Sequence, residues 1–503
     1  MFEHGNHRLP GPGMFLERRR SRGRLVIAIA VAVALAGVVI VYLVTRSDQC
    51  ASGVAREGGE CVGVTDGSFD FDPSMKTVDQ SIVQENRRIR TNKDAYVTVA
   101  FLGPLSVTKA HNLTGGRVAH QIEGAHIGQL RANNGSGGGD NPKIRLVLGN
   151  EGSDQSHWKH VVAQLEKMID SPDHLVAVVG LGLSTAHTAD AARELSSKGI
   201  AMVGDVITGD GFDSSGQAVR AAGDGGATRI NGLTRVAPPV QKQVSVLAQY
   251  LEGRMKTAAM VVDQNATDLY SRSLADDFRR TFAKSIKIGG RFEEPFTADS
   301  PDQPGIPNRY ATVAANLNLC GGDPPDVVLY AGRTVFLPGL LGYLEHCRKR
   351  PITVVTGSDA AGVRGFAADT PASVIYTPLA DPDQLNSAGN PTRSVFQGFL
   401  ADCAKYYPPF APADLRDGWA IMAHDSVLTA AQAVRLASGP GGGTFPPPKD
   451  VSSFLYNLHA AHKVDGASGA IEMDGNGNPE IKAIPVIQLV ADGTRKLIGS
   501  YRP

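Results

Sequence analysis

The sequence lacks an excess of charge of either sign. Its 503 residues include 50 lysines and arginines and 50 aspartates and glutamates. Nucleic-acid-binding proteins concentrate positive charge, so this balance argues against a nucleic-acid partner. Hydrophobic residues make up 42% and charged residues 20%, as in an ordinary globular protein, and the length allows two or three domains.

A complete metal-binding motif is also lacking. No group of cysteines and histidines has the spacing of a zinc site. Asp474-Gly475-Asn476 begins like a calcium loop, but its sixth position is Pro479 and its twelfth is Pro485, which excludes an EF-hand. We therefore expect no metal and no other cofactor, and we interpret Asp474–Gly477 as a hairpin turn.

A catalytic serine motif is incomplete as well. Gly182-Leu183-Ser184-Thr185-Ala186 follows a strand and opens a helix, as a nucleophile elbow does, but alanine replaces the last glycine of that pattern. His424, His459 and His462 are the histidines available downstream, and each is more simply explained as a helix-surface residue. A serine hydrolase is therefore a remote alternative, and we expect that the protein is not an enzyme.

One long apolar run lies near the N-terminus. Residues 25–44 carry no charge and are close to the about 20 residues that span a bilayer as a helix. Residues 1–24 are rich in arginine, so the positive-inside rule places this tail in the cytoplasm and the rest outside. A cleaved signal peptide is the alternative, but its apolar region is usually about 7–15 residues. We expect a retained single-pass anchor in the cell membrane and an extracytoplasmic linker at 45–95.

Five cysteines are distributed along the chain. Cys50 and Cys61 lie in the expected linker, where a local disulfide would suit an extracytoplasmic location; two unpaired thiols are the alternative. Cys320 and Cys347 flank the strand and helix of one β–α unit, and that helix returns to the end where the strand began. We therefore predict a Cys320–Cys347 disulfide, with Cys403 left over as a buried helix residue.

From Tyr96 onwards, runs with strand and helix character alternate. The clearest unit is 173–205, where the apolar strand Leu175–Val179 leads through a glycine-rich loop and a helix, Thr185–Lys198, to a second strand. Ser184 is the expected N-cap of that helix. The loop lies at the carboxyl end of a strand, which is where open α/β sheets bind ligands.

A double proline, Pro238-Pro239, interrupts this alternation. Proline fits neither a helix interior nor a central strand, so we expect the chain to cross between domains there. The alternation then restarts, and 469–498 has the alternating apolar residues of hairpin strands. The pattern predicts an α/β fold in two halves, each a parallel sheet with helices on its faces.

Several short motifs, in this order, resemble those of the type 1 periplasmic binding proteins, of the leucine/isoleucine/valine-binding and receptor ligand-binding-region kind. These motifs fall between Tyr96 and Ile498. In chain order, they are: Leu175–Gly180 with Ser184 and Thr185; Thr234–Pro238; Tyr270 after Asp263; Ala423–Val427; and Gly466–Gly469 followed by Asp474-Gly475. The resemblance implies two lobes, each a doubly wound parallel sheet, joined by three hinge segments near Pro238, Pro378 and Val464.

By analogy with that family, lobe 1 comprises 96–238 and 380–462, and lobe 2 comprises 239–379 and 463–503. Family members hold amino acids, amides or similar small solutes between the lobes, with hydroxyls and backbone groups from lobe 1 and a tyrosine and an acid from lobe 2. Carried over by position, the ligand-binding residues are Ser106, Ser184 and Thr185 from lobe 1 and Tyr270 from lobe 2.

One departure from the family pattern concerns charge. After the strand Val327–Ala331, where relatives often have an acid for the ligand ammonium, this chain has Arg333, which favours an anionic group; Asp359 and Asp205 are the acidic substitutes nearby. Each candidate also has a purely structural alternative. These are a helix cap for the serine, threonine and aspartate, packing for the tyrosine, and a solvated or hinge-bridging role for the arginine.

We therefore expect a membrane-anchored extracytoplasmic solute-binding protein whose lobes close on a small polar, amino-acid-like ligand and which serves an ABC permease. A ligand sensor is the alternative. Because a tail of about 24 residues is too short for an output domain, a sensor would signal through a partner membrane protein.

Overall fold

The computed structural model of the chain describes residues 1, 26–31, 49–108, 113–136, 138–215, 229–285, 293–297, 306–344, 347, 351–363, 365–366, 372–439, 445–480 and 483–503. The expected membrane span at 25–44 lies outside these residues except for 26–31, which are helical. No helix among the described residues has both the length and the apolar character needed to cross a membrane.

Seventeen strands are present in the described residues, in two large sheets and one small one. In chain order they are β1 (Gln49–Ala51), β2 (Val54–Glu57), β3 (Glu60–Thr65), β4 (Tyr96–Gly103), β5 (Lys143–Asn150), β6 (Leu175–Gly180), β7 (Ala201–Gly204), β8 (Leu233–Arg235), β9 (Ala258–Asp263), β10 (Glu293–Phe296), β11 (Val327–Ala331), β12 (Ile352–Thr356), β13 (Ala372–Tyr376), β14 (Val464–Gly466), β15 (Gly469–Ile471), β16 (Ile484–Val490) and β17 (Arg495–Tyr501).

Apart from the helical residues 26–31, the helices of the same residues cover both faces of the large sheets. They are α1 (Lys76–Asn92), α2 (Gly115–Asn133), α3 (Trp158–Lys167), α4 (Ala186–Ser197), α5 (Val240–Leu251), α6 (Leu269–Thr281), α7 (Ile306–Asn316), α8 (Leu337–Leu344), α9 (Pro382–Leu385), α10 (Arg393–Tyr406), α11 (Trp419–Ser438) and α12 (Pro448–Leu455).

The sheet of the first lobe has the order β1-β2-β3-β5-β4-β6-β7-β8. Strands β4 to β8 are parallel, and β4 and β6 are buried along nearly their whole length. Continuous burial is what a parallel strand between two helix layers requires, and it explains why these strands are unbroken apolar runs in the sequence. The α/β alternation predicted from Tyr96 onwards is thus present.

Residues 49–95 belong to this lobe, so the expected linker at 45–95 is wrong for this part. Strand β3 pairs antiparallel with β5, and α1 buries Val78, Ile82 and Ile89. The Asn86 amide also donates to and accepts from the backbone of Leu146, at 2.7 and 3.1 Å. Short edge strands bury few apolar side chains, so this segment has the polar composition of a linker.

Helix α11 is buried almost throughout and packs against α2. The close approach depends on Gly124 and Gly128 of α2, where an added Cβ would collide with the α11 backbone at Ala420 and His424. Small residues at these two positions therefore fix how deeply α11 lies in the first lobe.

The sheet of the second lobe has the order β10-β9-β11-β12-β13-β16-β17. Strands β9 to β13 are parallel, and β16 and β17 add an antiparallel hairpin at one edge. That hairpin turns at 491–494. At the predicted position, Asp474–Gly477, the structure has a tight turn closed by an isolated bridge between Met473 and Pro479. Two glycine-containing turns follow each other in this region, and the sequence pattern alone did not separate them.

The last crossing between lobes also differs from the predicted hinge near Val464. Asp425 of α11 accepts hydrogen bonds from the backbone N–H groups of Ala467 and Ser468, at 2.6 and 2.9 Å, and Ile471 lies in the core of the first lobe. Residues 463–480 therefore rest on the first lobe, and the chain reaches the second lobe only at β16. Alternating apolar residues mark a hairpin without indicating which lobe it joins.

Both disulfides expected from the sequence are present. Cys50 is bonded to Cys61 and Cys320 to Cys347, while Cys403 is a buried free thiol. The first bond ties the edge strands β1 and β3 together, and the second closes the β–α unit around β11 and α8.

Candidate ligand site between the two lobes

Each large sheet has a point where its strand order reverses. In the first sheet this point lies between β4 and β6, and in the second between β9 and β11. Loops leaving the carboxyl ends of such strands diverge and leave a crevice that binds ligands in open α/β sheets. The loops after β6, β9 and β11 carry Ser184, Asp268 and Arg333, which meet across the lobe boundary.

Ser184 ties loops together through both its side chain and its backbone. Its buried hydroxyl accepts hydrogen bonds from the N–H groups of Thr208 and Gly209, at 3.1 and 2.9 Å. Its carbonyl accepts from the N–H groups of Leu269 and Tyr270, at 3.0 and 3.2 Å. The first lobe thereby satisfies two N–H groups at the start of α6 in the second lobe.

Thr185, not Ser184, is the N-cap of α4. Its backbone is extended and its side chain accepts a hydrogen bond from the Thr188 N–H at 3.1 Å. Thr185 also forms an antiparallel bridge with Asp268 of the other lobe. A serine and a threonine side by side suit an N-cap equally well, so the sequence did not distinguish them.

Arg333 is held by Asp268, an acid that the sequence analysis missed. The guanidinium donates from Nε and Nη2 to the Asp268 carboxylate, with distances down to 2.7 Å, and it lies over the Tyr270 ring at 4.7 Å. Asp268 is also the N-cap of α6. An aspartate just before a helix that follows a buried strand was the available signal, but this pattern is common in plain caps.

Tyr270 and Asp359 complete the cluster in the second lobe. The Asp359 N–H donates to the Tyr270 hydroxyl at 3.3 Å, and the Asp359 carboxylate accepts from the Thr334 N–H at 2.7 Å. Burial raises the pKa of Tyr270 above its usual value. Burial alone would raise the pKa of Asp359, but the nearby Arg333 and Arg117 lower it, so this acid is a carboxylate at neutral pH.

Arg117 extends the cluster into the first lobe, and the sequence analysis missed this residue too. It lies in the first turn of α2, with its side chain only 9% exposed, and its guanidinium is 3.8 Å from the Asp359 carboxylate. Asp417 lies 3.3 Å away on its other side, and the Trp419 ring lies beneath it at 4.7 Å. Nothing in the local sequence distinguishes this arginine from a solvated helix residue.

Two of the predicted residues lie away from this cluster. The Ser106 hydroxyl accepts from the Asn150 amide at 2.7 Å, within the first lobe. Asp205 is fully buried and accepts from the Gln121 amide at 2.6 Å, and burial raises its pKa to about 7. Ser184, Thr185, Tyr270, Arg333 and Asp359 come together; their contact with a ligand stays a prediction.

Among the residues that the structure describes, Ser184 has no catalytic partner. Its hydroxyl is occupied by two backbone donors, and within the described parts of the chain no histidine nitrogen hydrogen-bonds to it. His424 is not at a helix surface as predicted; it is buried in α11 and lies 2.8 Å from Asp425. The reason is that α11 is enclosed on nearly all sides, which its mixed sequence did not show. The described residues contain no group of three or more potential metal ligands.

Several solved structures that are similar to this chain are binding proteins. A leucine binding protein from Thermotoga maritima has a TM-score of 0.56 and 18% identity over 81% of this chain and 99% of that chain. The branched-chain amino acid transporter substrate binding protein of Streptococcus pneumoniae, in complex with isoleucine, has a TM-score of 0.55 and 16% identity, and the match covers 81% of this chain and 100% of that chain. An ABC transporter solute binding protein of R. palustris, in complex with 4-hydroxybenzoate, has a TM-score of 0.56 and 14% identity, and the match covers 81% of this chain and 97% of that chain.

No protein-family model matches the sequence, and no curated protein matches it either. At 14–18% identity the similarity to solved structures establishes the fold alone. The chain has the type 1 periplasmic-binding fold, and the two-lobed α/β architecture predicted from the sequence is confirmed.

Proposed function

We propose that this protein binds a small polar solute between its two lobes and closes around it. The observation that supports the proposal is the buried cluster of Asp268, Tyr270, Arg333 and Asp359, which lies where the strand orders of both sheets reverse. Buried charges are costly unless they are paired, so a folded protein rarely keeps such a group without a use.

The cluster suits a ligand with a carboxylate. Arg333 offers a planar fork of donors that matches a carboxylate, and it presently binds the Asp268 carboxylate in that way. A ligand carboxylate would compete with Asp268 for the same guanidinium, and the Tyr270 ring would pack against the ligand. Leucine, isoleucine and 4-hydroxybenzoate, the ligands named for the structural neighbours, all carry a carboxylate.

Closure would convert binding into a signal that a partner reads. Ser184 already links the lobes by capping α6, and a ligand that binds both lobes would favour this closed arrangement over an open one. By analogy with the neighbours, which are ABC transporter proteins, we propose that the partner is an ABC permease. We also propose that residues 25–44 anchor the chain in the membrane, with the two lobes outside the cytoplasm. The two disulfides support an oxidising compartment.

A thermal-shift screen of the purified chain tests solute binding. We expect carboxylates such as leucine and 4-hydroxybenzoate to raise the melting temperature and their amides to do so less, because only the carboxylate pairs with Arg333. Arg333→Gln should weaken carboxylate binding by about 10- to 100-fold, since hydrogen bonds to charged groups contribute about 1.5–3 kcal/mol. Arg254→Gln, at an arginine on the surface of the second lobe, is the control.

If no class of solute raises the melting temperature, the result contradicts the proposal. The partner is tested separately by isolating the chain from detergent-solubilised membranes. Recovery of a permease subunit supports uptake, and recovery of a signalling protein supports the sensor alternative.

A further inference from the structure

We propose that the two lobes are held closed by their own contacts, with Leu269 as a latch, so that closure does not require a bound solute. This inference rests on the proposed function, because the site that the latch closes is the proposed solute site, and it adds how that site is regulated. A solute enters only when the latch opens, and once bound it adds to a closed state that already exists.

The latch, Leu269, is a residue of the second lobe whose side chain lies in the core of the first lobe. It is the first residue of α6, which packs against β9 and β11 of the second sheet. Its side chain is 1% exposed and belongs to a buried apolar cluster whose other buried members all lie between Ala100 and Leu233. Burial of this leucine therefore stabilises the closed state through the protein alone.

The backbone beside the latch is paired across the lobe boundary in both directions. The Ala186 N–H, at the start of α4 in the first lobe, donates to the Thr267 carbonyl of the second lobe at 2.9 Å. In return the Leu269 N–H, at the start of α6, donates to the Ser184 carbonyl at 3.0 Å. The first N–H groups of a helix have no partner within the helix. Each lobe thus supplies the acceptor that a helix start of the other lobe needs.

A further contact between the lobes lies one turn along α6. The Asp210 N–H of the first lobe donates to the Ser273 hydroxyl at 3.0 Å, and Ser273 is four residues from Leu269 and so on the same face of the helix. Leu274, in contrast, is completely buried in the core of the second lobe, in a cluster that includes residues of β9 and β11. Helix α6 thus uses one face to pack in its own lobe and another to hold the first lobe.

The latch is adjacent in the chain to the candidate ligand cluster. Leu269 stands between Asp268, which binds Arg333, and Tyr270, whose ring packs on the same guanidinium. Separating Leu269 from the first lobe moves both neighbours with it, so opening of the latch and access to the cluster are one event. The latch therefore controls how often the site admits a solute.

Hydrogen exchange of single amides, resolved by fragmentation mass spectrometry, tests the inference on the purified full-length chain. The chain is first unfolded in urea with its disulfides intact, dialysed and refolded, so that no co-purified solute stays bound. The reporter is the Ala186 N–H, because its acceptor, the Thr267 carbonyl, belongs to the other lobe. We expect this amide to be protected before any solute is added, since the closed state pairs it.

Leu269→Ala removes the latch and should speed exchange of the Ala186 amide by at least about 10-fold, because loss of buried apolar atoms between the lobes favours opening. Leu274→Ala is the matched control, since it is the same substitution in the same helix but in the core of the second lobe. It should lower the melting temperature while leaving the Ala186 amide as protected as in the wild type.

Two results would overturn the inference and leave the proposed function standing. The first is a wild-type Ala186 amide that exchanges like an unpaired amide until leucine or 4-hydroxybenzoate is added. The second is equal acceleration by Leu269→Ala and Leu274→Ala. Protection that needs no solute, together with no binding in the thermal-shift screen, would instead retain the latch and reject the proposed function.

Discussion

At the scale of single residues, burial rather than residue type decides the chemistry of the acids. Asp359 lies beside Arg333 and Arg117, which hold its pKa below the usual value, whereas Glu151, directly after β5, is completely buried without a cation among the described residues. Burial raises the pKa of Glu151 to about 8, although the Gln155 amide donates to it at 3.1 Å. Glu151 is therefore neutral at pH 7.

This raised pKa predicts a pH-dependent stability. Between about pH 4.5 and the folded-state value of about 8, the unfolded chain has lost the Glu151 proton while the folded chain keeps it. The free energy of unfolding therefore falls as pH rises through this window, by at most about 1.4 kcal/mol per pH unit from this residue. Glu151→Gln cannot titrate, so its stability should exceed that of the wild type at pH 8 and match it more closely near pH 5.

Urea unfolding of both chains at pH 5, 6, 7 and 8 measures this difference directly. Glu252→Gln, at an exposed position at the end of α5, is the control and should follow the wild type at every pH. A Glu151→Gln variant with the same pH profile as the wild type would show that Glu151 is ionised in the folded protein.

At the scale of elements, the segment 49–92 gives the first lobe part of its core. Helix α1 and the turn before it bury Met75, Val78, Ile82 and Ile89 completely or almost completely. At about 1.5–3 kcal/mol for each buried side chain, these four stabilise the lobe by roughly 6–12 kcal/mol. Domains are stable by only about 5–15 kcal/mol in total, so the segment is needed for folding.

We therefore predict that a chain beginning at residue 49 folds and that one beginning at residue 93 does not. Loss of β3 in the shorter chain would also expose the β5 edge of the sheet, which favours aggregation. Circular dichroism melting should show a cooperative transition for 49–503 and none for 93–503. A cooperative transition in the shorter chain would mean that the segment is attached to the lobe without supporting it.

At the scale of the whole molecule, the two lobes are joined by contacts that depend on close approach. Gly362 makes one of these contacts, with the Arg117 guanidinium. A Cβ added at Gly362 would collide with that guanidinium. Displacing Arg117 would break its ion pair with Asp359 across the lobe boundary. The missing side chain at Gly362 therefore allows the lobes to close fully.

Gly362→Val should hinder closure without disturbing either core. We expect it to weaken ligand binding by about 10-fold, which corresponds to about 1.4 kcal/mol, and to give a larger radius of gyration in small-angle X-ray scattering with ligand present. Gly322→Val is the control, because an added Cβ there has no neighbour within 4 Å. Equal affinity and equal compactness of the two variants would exclude a role for Gly362 in closure.

The two-lobed architecture follows from patterns that are local in the chain. Buried parallel strands such as β6 are unbroken apolar runs, and Pro238-Pro239 marks a crossing because proline cannot continue either element. Such patterns extend over about ten residues, so the sequence alone determined most of the buried parallel strands, most helices, the positions of Arg333 and Asp359 after strand ends, and that of Tyr270 near the start of a helix.

The tertiary structure decided everything that depends on which distant segments meet. Arg117 and Asp359 lie far apart in the chain, and only the approach of the lobes makes them an ion pair. The same holds for Asp268 as the partner of Arg333 and for β3 as a neighbour of β5. Charge, capping ability and strand propensity are properties of single residues or short stretches, whereas a partner is selected by packing of the whole chain.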